Sequence, residues 1–315
     1  MPLEDFVDYH PDVERALSEG QAVVALESTI ISHGLPWPAN QELARDLEQI
    51  VRDRGATPAT IGICQGRITI GMSDEQIARF ARNRDQGASI VKVSRRDIAC
   101  VVALKQDGAT TVAGTMICAR LARIRVFATG GIGGVHRGGD VSMDISADLP
   151  ELAKTRVAVV CAGAKSILDL PKTLEYLETH GVPVIGYQSG EFPSFHSRES
   201  GLSLEHAASN PTEVAHFLSV RDQLGLSGGE LITNPIPETD AIAKPEIDAW
   251  ISQALEQADR EHINGKNVTP YLLSRIAELS SGRSVTANLA LVKHNAKLAA
   301  DIAIAYGHKN KVGQL

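Results

Sequence analysis

No C-x-x-C pair occurs in this chain, no apolar run approaches the roughly twenty residues that a membrane span needs, and no stretch concentrates Lys and Arg. Each absence removes a class of function. Four cysteines, Cys64, Cys100, Cys118 and Cys161, lie far apart in apolar segments, which argues against a zinc or dithiol motif and predicts reduced core thiols. A formal charge of −7 with interspersed signs speaks against a nucleic-acid surface, where clustered cations are expected. The opening residues, Met-Pro-Leu-Glu-Asp, lack a basic region followed by an apolar core, so a cytoplasmic protein with no membrane partner is expected. The familiar nucleotide motifs fail in register. A G-x-G-x-x-G pattern begun at Gly131 needs glycine where His136 stands, and Ala164-Lys165-Ser166 lacks the P-loop glycine before its lysine. No repeat, low-complexity tract or linker interrupts the 315 residues, so residues 1–315 read as a single domain.

What is present is an alternation of short apolar runs with helical patterns. Residues 22–26, 89–93, 126–128, 157–161, 182–187 and 231–233 are apolar and largely β-branched, as buried parallel strands are. Residues 60–64 and 67–70 flank Gln65-Gly66 as a hairpin. Helices are expected over 12–18, along the face Leu43, Leu47, Ile50 and Val51, from the Ser73–Gln76 capping box to about Arg84, and over 167–180. Gly108-Ala109-Thr110-Thr111 is read as opening a helix with Val112, Met116, Ile117, Leu121 and Ile124 on its apolar face. Asn210-Pro211 begins another, with Val214, Phe217 and Leu218 inward. From Pro245 the pattern is helical, with starts at Thr269-Pro270 and Ser284 and stops at Gly265, Gly282 and Gly307. The economical fold is a three-layer α/β/α domain, with a central mixed, mainly parallel sheet and a helical C-terminal part.

Chemistry-bearing residues stand where these strands end, the place at which open α/β sheets bind ligands. Glu27 closes the first strand. Behind 126–128 come Gly130, Gly131, Gly133 and Gly134, able to bring backbone amides close to an anion. Lys165 follows Ala162-Gly163-Ala164, Lys92 lies between two valines, and Asp144 and Asp148 are four apart, so that a helical turn would place both on one face. The small and hydroxyl residues around Thr110 suit a ligand approaching a helix N-terminus. Each group also has a plain structural role open to it: a turn, helix-start acids, a first-turn surface lysine, an edge-strand lysine pointing to water.

Five blocks carry a resemblance. They are residues 23–34 (VVALESTIISHG), 92–97 (KVSRRD), 129–136 (TGGIGGVH), 144–149 (DISADL) and 162–169 (AGAKSILD), with 234–237 (NPIP) and 284–289 (SVTANL) fitting too. Together they resemble, in order and over nearly the whole chain, the signature of the pseudouridine-5′-phosphate glycosidase family, which is indigoidine synthase A-like. The resemblance implies a lyase that reversibly converts pseudouridine 5′-phosphate to uracil and ribose 5-phosphate, with a divalent metal, typically Mn2+, and a homotrimer. It implies Lys165 as the nucleophile at the sugar C1′, Glu27 as the proton-transferring partner and Asp144 at the metal. Lys92, Val112, Ser146, Ala147 and Asp148 would line the substrate site, Asn288 would meet the uracil, and Thr129 the phosphate. Because pseudouridine joins C1′ to a ring carbon, no leaving heteroatom can be protonated, and a lysine imine offers another electron sink. Three other activities share parts of this set: a class I aldolase-like lyase on another phosphosugar, an N-nucleoside hydrolase using Asp144 and Asp148, and a phosphosugar-binding module without turnover.

Overall fold

The structure, a computed structural model, describes residues 3–83, 90–261, 263 and 268–312. Arg84, Ser89 and Gly265, expected at element ends, lie outside the described residues. Among those described, eleven strands join in one sheet: β1 Val7–Tyr9, β2 Val23–Leu26, β3 Thr57–Cys64, β4 Arg67–Ile70, β5 Val91–Val93, β6 Gly108–Thr110, β7 Val126–Ala128, β8 Ala158–Cys161, β9 Val184–Tyr187, β10 His206–Ala208 and β11 Glu230–Thr233. Their order is β1-β4-β3-β2-β7-β8-β11-β9-β10, with the β5–β6 pair joined to β3 through β6. Only β3 runs antiparallel to neighbours, namely β4 and β6; the other pairs are parallel. The architecture is therefore the α/β/α arrangement expected, with a mixed and mainly parallel sheet. In β2, β7, β8 and β11 every residue is buried, which is why the first three read as continuous apolar runs and not as alternating ones, while β11 opens on Glu230, paired with Arg125 and Arg221.

Helices cover this sheet. Ala39–Asp53 and Pro211–Gln223 pack on Arg283–Val312, and that last helix lies on β2, β7 and β8. Val112–Leu121 packs on β2 and β3 and on the short helix Asp148–Leu152. Lys244–Arg260 and Val268–Leu279 complete the helical C-terminal part. The hairpin turns at Gln65-Gly66, and the Ser73–Gln76 capping box is formed in both directions.

Several local expectations are corrected. Residues 108–110 are strand β6, not a helix opening; Gly108 sits so close to β5 that a Cβ there would lie 2.4 Å from Val93 Cγ2. The helix starts after Thr111, whose hydroxyl caps Gly114 N at 3.3 Å. The helix expected from residue 167 begins at Leu170, where Asp169 accepts from Lys172 N at 3.1 Å and Pro171 suits the first turn. Gly307 is inside the last helix, and Phe217 is 41% exposed. Cys100 is exposed while the other three cysteines are buried. Strands β1 and β10, three residues each, are too short to show a period.

Candidate active site

At the carboxyl ends of β2, β7 and β8, three adjacent strands deliver Glu27, Thr129 and the loop leading to Lys165. The Thr129 hydroxyl donates to Glu27 Oε1. Burial pushes the Glu27 carboxyl above the ordinary carboxylate range; the positive charge of Lys165, the Thr129 hydrogen bond and Lys92 pull the other way, and Asp148 adds to the rise. Lys92 is pushed down, first by burial and then by the Lys165 charge, against the opposing pull of Asp148 and Glu27. Water still reaches the Lys92 side chain and screens part of this effect. Two amines and two carboxyls are thus within electrostatic reach of one another. Arg95 Nε, 3.0 Å from the fully buried Glu151, ties the turn after β5 to the helix Asp148–Leu152 and so keeps Lys92 beside Asp148.

Asp148 is where the structure departs from the simple anion-site expectation. Its Oδ1 accepts from Ala113 N at 2.9 Å and its Oδ2 from Gly133 N at 2.8 Å. One amide from the helix start and one from the glycine cluster are therefore spent on a protein carboxylate. Gly133 is required for this approach, since a Cβ there would fall 2.2 Å from Ser146 Oγ and 2.9 Å from Asp148 Oδ2. Ser146 Oγ in turn accepts from Asp148 N at 3.3 Å. Val112, Ser146 and Ala147 hence lie against the residues that hold Asp148. The shared helical face foreseen for Asp144 and Asp148 is not formed. Met143 turns left-handed (φ 57°), Val135 bridges Ile145, and helix begins only at Asp148. The Asp144 carboxylate is 45% exposed, with His136 Nδ1 3.9 Å from it.

Lys165 sits on a loop, half-buried, and not on a helix. Its amide donates to Ile132 O at 3.1 Å, and Ala164 bridges Ile132, so the loop is laced to the glycine cluster. Gly163, at φ +82°, passes so near Pro193 that a Cβ would lie 2.3 Å from its carbonyl oxygen. Asn288 reaches the same place from the last helix: its Oδ1 would be 3.4 Å from a Cβ on Gly130. Glu27, Lys92, Thr129, Asp148, Lys165 and Asn288 gather here, with Val112, Ser146 and Ala147 around Asp148. Sequence reasoning missed Asn295 and gave no role to Asn234, which it noted only within the 234–237 block. Asn295 Nδ2 donates to Thr129 O at 2.9 Å and to Gly130 O at 3.3 Å, and Asn234 Nδ2 donates to Asn295 Oδ1 at 3.1 Å. Both are buried, and together they pin the last helix across the strand ends. The available signal was the spacing of Asn288 and Asn295, seven apart on one helix face.

A lysine, a carboxyl of raised proton affinity and a fixed carboxylate suit covalent chemistry at a carbonyl-level carbon. Residues 12–305 match the family model described as Indigoidine synthase A like protein. The chain belongs to the indigoidine synthase A like family. Among its relatives, the pseudouridine-5′-phosphate glycosidase of Geobacillus kaustophilus (strain HTA426) is 56% identical over 301 residues, covering 96% of this chain and 99% of that protein. The glycosidase of Staphylococcus aureus (strain MW2) is 53% identical over 303 residues, covering 96% and 97%. Two solved structures of the same fold are similar. The prealnumycin C-glycosynthase AlnA in complex with ribulose 5-phosphate has a TM-score of 0.90 at 39% identity, covering 98% of this chain and 99% of that one. An indigoidine synthase A-like protein from Thermotoga maritima has a TM-score of 0.86 at 37% identity, covering 96% and 97%. No described helix is long and apolar enough to cross a membrane.

Proposed function

We propose that this protein cleaves the C-glycosidic bond of pseudouridine 5′-phosphate, reversibly releasing uracil and ribose 5-phosphate through a covalent adduct at Lys165. The observation that carries the reading is the meeting of Lys165 and Glu27 at the carboxyl ends of β8 and β2, on either side of β7, with Glu27 holding its proton more tightly than an ordinary carboxyl, in a chain 56% identical to a protein named for this activity.

The chemistry follows from the positions. Glu27 protonates the ring oxygen as the C1′–O4′ bond opens, and the Lys165 amine bonds to C1′. The nitrogen gives a proton to the Glu27 carboxylate, and its lone pair then forms a C1′=N bond while the electron pair of the C1′–C5 bond leaves to uracil C5, which takes that proton from Glu27. Water hydrolyses the imine, freeing ribose 5-phosphate and the amine. Asp148, held by two amides, serves as a fixed negative charge and hydrogen-bond acceptor at the sugar. Asn288 meets the uracil, and Thr129, with its hydroxyl hydrogen committed to Glu27, turns its remaining lone pairs toward the substrate. Val112, Ser146 and Ala147 line the site. Asp144 is the residue offered to a divalent cation such as Mn2+. A single carboxylate suits a hard ion whose shell water and substrate oxygens would complete. When bound, such an ion supplies a point of positive charge for orienting oxygens. The same reading carries a homotrimer at work in the cytoplasm.

The decisive assay is uracil release from pseudouridine 5′-phosphate, with and without a chelator. Uracil is expected, with the rate falling on metal stripping and recovering with Mn2+. An unchanged rate after thorough stripping removes the role given to Asp144, and the absence of uracil alongside cleavage of another phosphosugar turns the reading to an aldolase-like lyase.

Lys92 supplies a separate prediction. As a point charge for the phosphate, its loss in Lys92→Ala is expected to weaken pseudouridine 5′-phosphate by about 2 kcal/mol more than pseudouridine itself. Competition binding of the two ligands measures this, and equal losses contradict the role.

A further inference from the structure

The residue after the nucleophile is anchored by a device the reaction scheme does not use. Lys165 is half-buried and open to the site, whereas Ser166 points into the protein and is 4% exposed. Its Oγ lies 3.1 Å from Nδ1 of His196, itself 2% exposed. His196 belongs to a buried segment, 192–197, that passes directly under the catalytic loops. Within it Phe195 N donates to Ala162 O at 3.1 Å, and the Phe195 ring presses on Gly131, whose Cβ would fall 2.6 Å from it. Phe195 adopts φ 58°, a left-handed conformation that a bulky residue takes only when its surroundings impose it. The His196 ring meets Phe195 edge-on at 4.7 Å and its backbone carbonyl accepts from Ile242 N at 2.8 Å. Burial pushes the ring down to about 4, opposed by a hydrogen bond to the Ser284 backbone. The ring therefore touches two segments, the loop of Lys165 through Ser166 and the backbone of Ser284. Ser284 lies in the first turn of the helix that carries Asn288.

We propose that His196 is a positioning residue for the reaction: its Nδ1 receives the Ser166 hydroxyl, its Nε2 donates to the Ser284 carbonyl, and the bridge holds Lys165 in register with Asn288. Ser166 sits in the turn that Leu168 N closes on Lys165 O at 3.0 Å, so anchoring Ser166 inward fixes the turn from which the Lys165 side chain reaches C1′. The link also joins the nucleophile's loop to the helix that meets uracil, and fixes the distance between the two ends of the bond to be broken. A buried histidine serving packing alone needs neither contact to fall on these two segments.

This inference rests on the proposed activity, and the experiment separates the two. Wild type, His196→Phe, Ser166→Ala and the double variant are compared for kcat and KM in uracil release, with circular dichroism to establish folding. His196→Phe keeps the ring and its edge contact with Phe195 but loses both hydrogen bonds. The expected result is a kcat lowered roughly 10- to 100-fold with KM changed less than about threefold. The double variant is expected to be no slower than His196→Phe alone, because the two groups act as one unit. His196→Gln, which restores a donor and an acceptor, should recover part of the rate. Normal kcat in both single variants, additive losses, or losses confined to KM overturn the proposal. If His196→Phe does not fold, Ser166→Ala decides by itself: about a tenfold fall in kcat supports the bridge and an unchanged kcat overturns it. Failure of wild type to release uracil overturns the activity instead.

Discussion

Lys165→Arg is expected to abolish uracil release and, with it, the capture of ribose 5-phosphate on the protein by borohydride. Arginine keeps the positive charge that faces Glu27 and Lys92, so electrostatic support and phosphate attraction survive the change. What disappears is the amine, since a guanidinium stays protonated under all relevant conditions and cannot attack C1′. Turnover should fall by about 10⁴-fold or more, to the level left by binding and orientation, while the near-ultraviolet dichroism of the folded chain is unchanged. Peptide mapping of the wild-type adduct supplies the positive control: the mass gain belongs on the peptide that contains Lys165. Near-normal turnover by Lys165→Arg, or an adduct on Lys92, removes the nucleophile assigned here while leaving membership of the family untouched.

The second large effect concerns Glu27. Glu27→Gln keeps an oxygen able to accept from Thr129, so the shape of the site is retained, but no proton can be delivered to the opening sugar. A loss of about 10²- to 10⁴-fold in kcat is expected, with KM little affected. The pH profile provides an independent readout. The Thr129 hydroxyl favours the charged form of Glu27, so Thr129→Val takes that support away and raises the carboxyl's proton affinity further. An acid that must be protonated to act then stays competent to higher pH, and the falling alkaline limb of kcat/KM moves upward. A limb that stays in place or moves down assigns the titration to another group.

The chain made much of this visible before any coordinates. The buried strands β2, β7 and β8 are written as short apolar runs, and the capping box at Ser73 names its own helix. Glu27, Lys165 and the glycines after β7 sit immediately beyond such runs, and the rule that ligands gather at strand ends in open sheets was enough to put them together. All these signals are local, lying within a few residues of the group they describe.

The tertiary structure decided the rest because its terms are partnerships between distant segments. Asp148 resembles a solvated helix-start acid until Ala113, 35 residues away, and Gly133 give it their amides; only then is it a fixed group, while the Asp144 carboxylate stays exposed. Asn295 reaches Thr129 across 166 positions, and its spacing from Asn288 gives the helix face but not the partner. Strand β6 is set by Val93 closing over Gly108, which overrides the helical look of the residues around it. Periodicity and caps report the conformation that a segment favours by itself, whereas burial and hydrogen-bond satisfaction are properties of the folded assembly. The sequence therefore determined which residues could do chemistry and on which elements they stand. Which of them face one another, and which are spent on holding the others in place, was decided by the packing of the sheet, the glycine loop and the last helix.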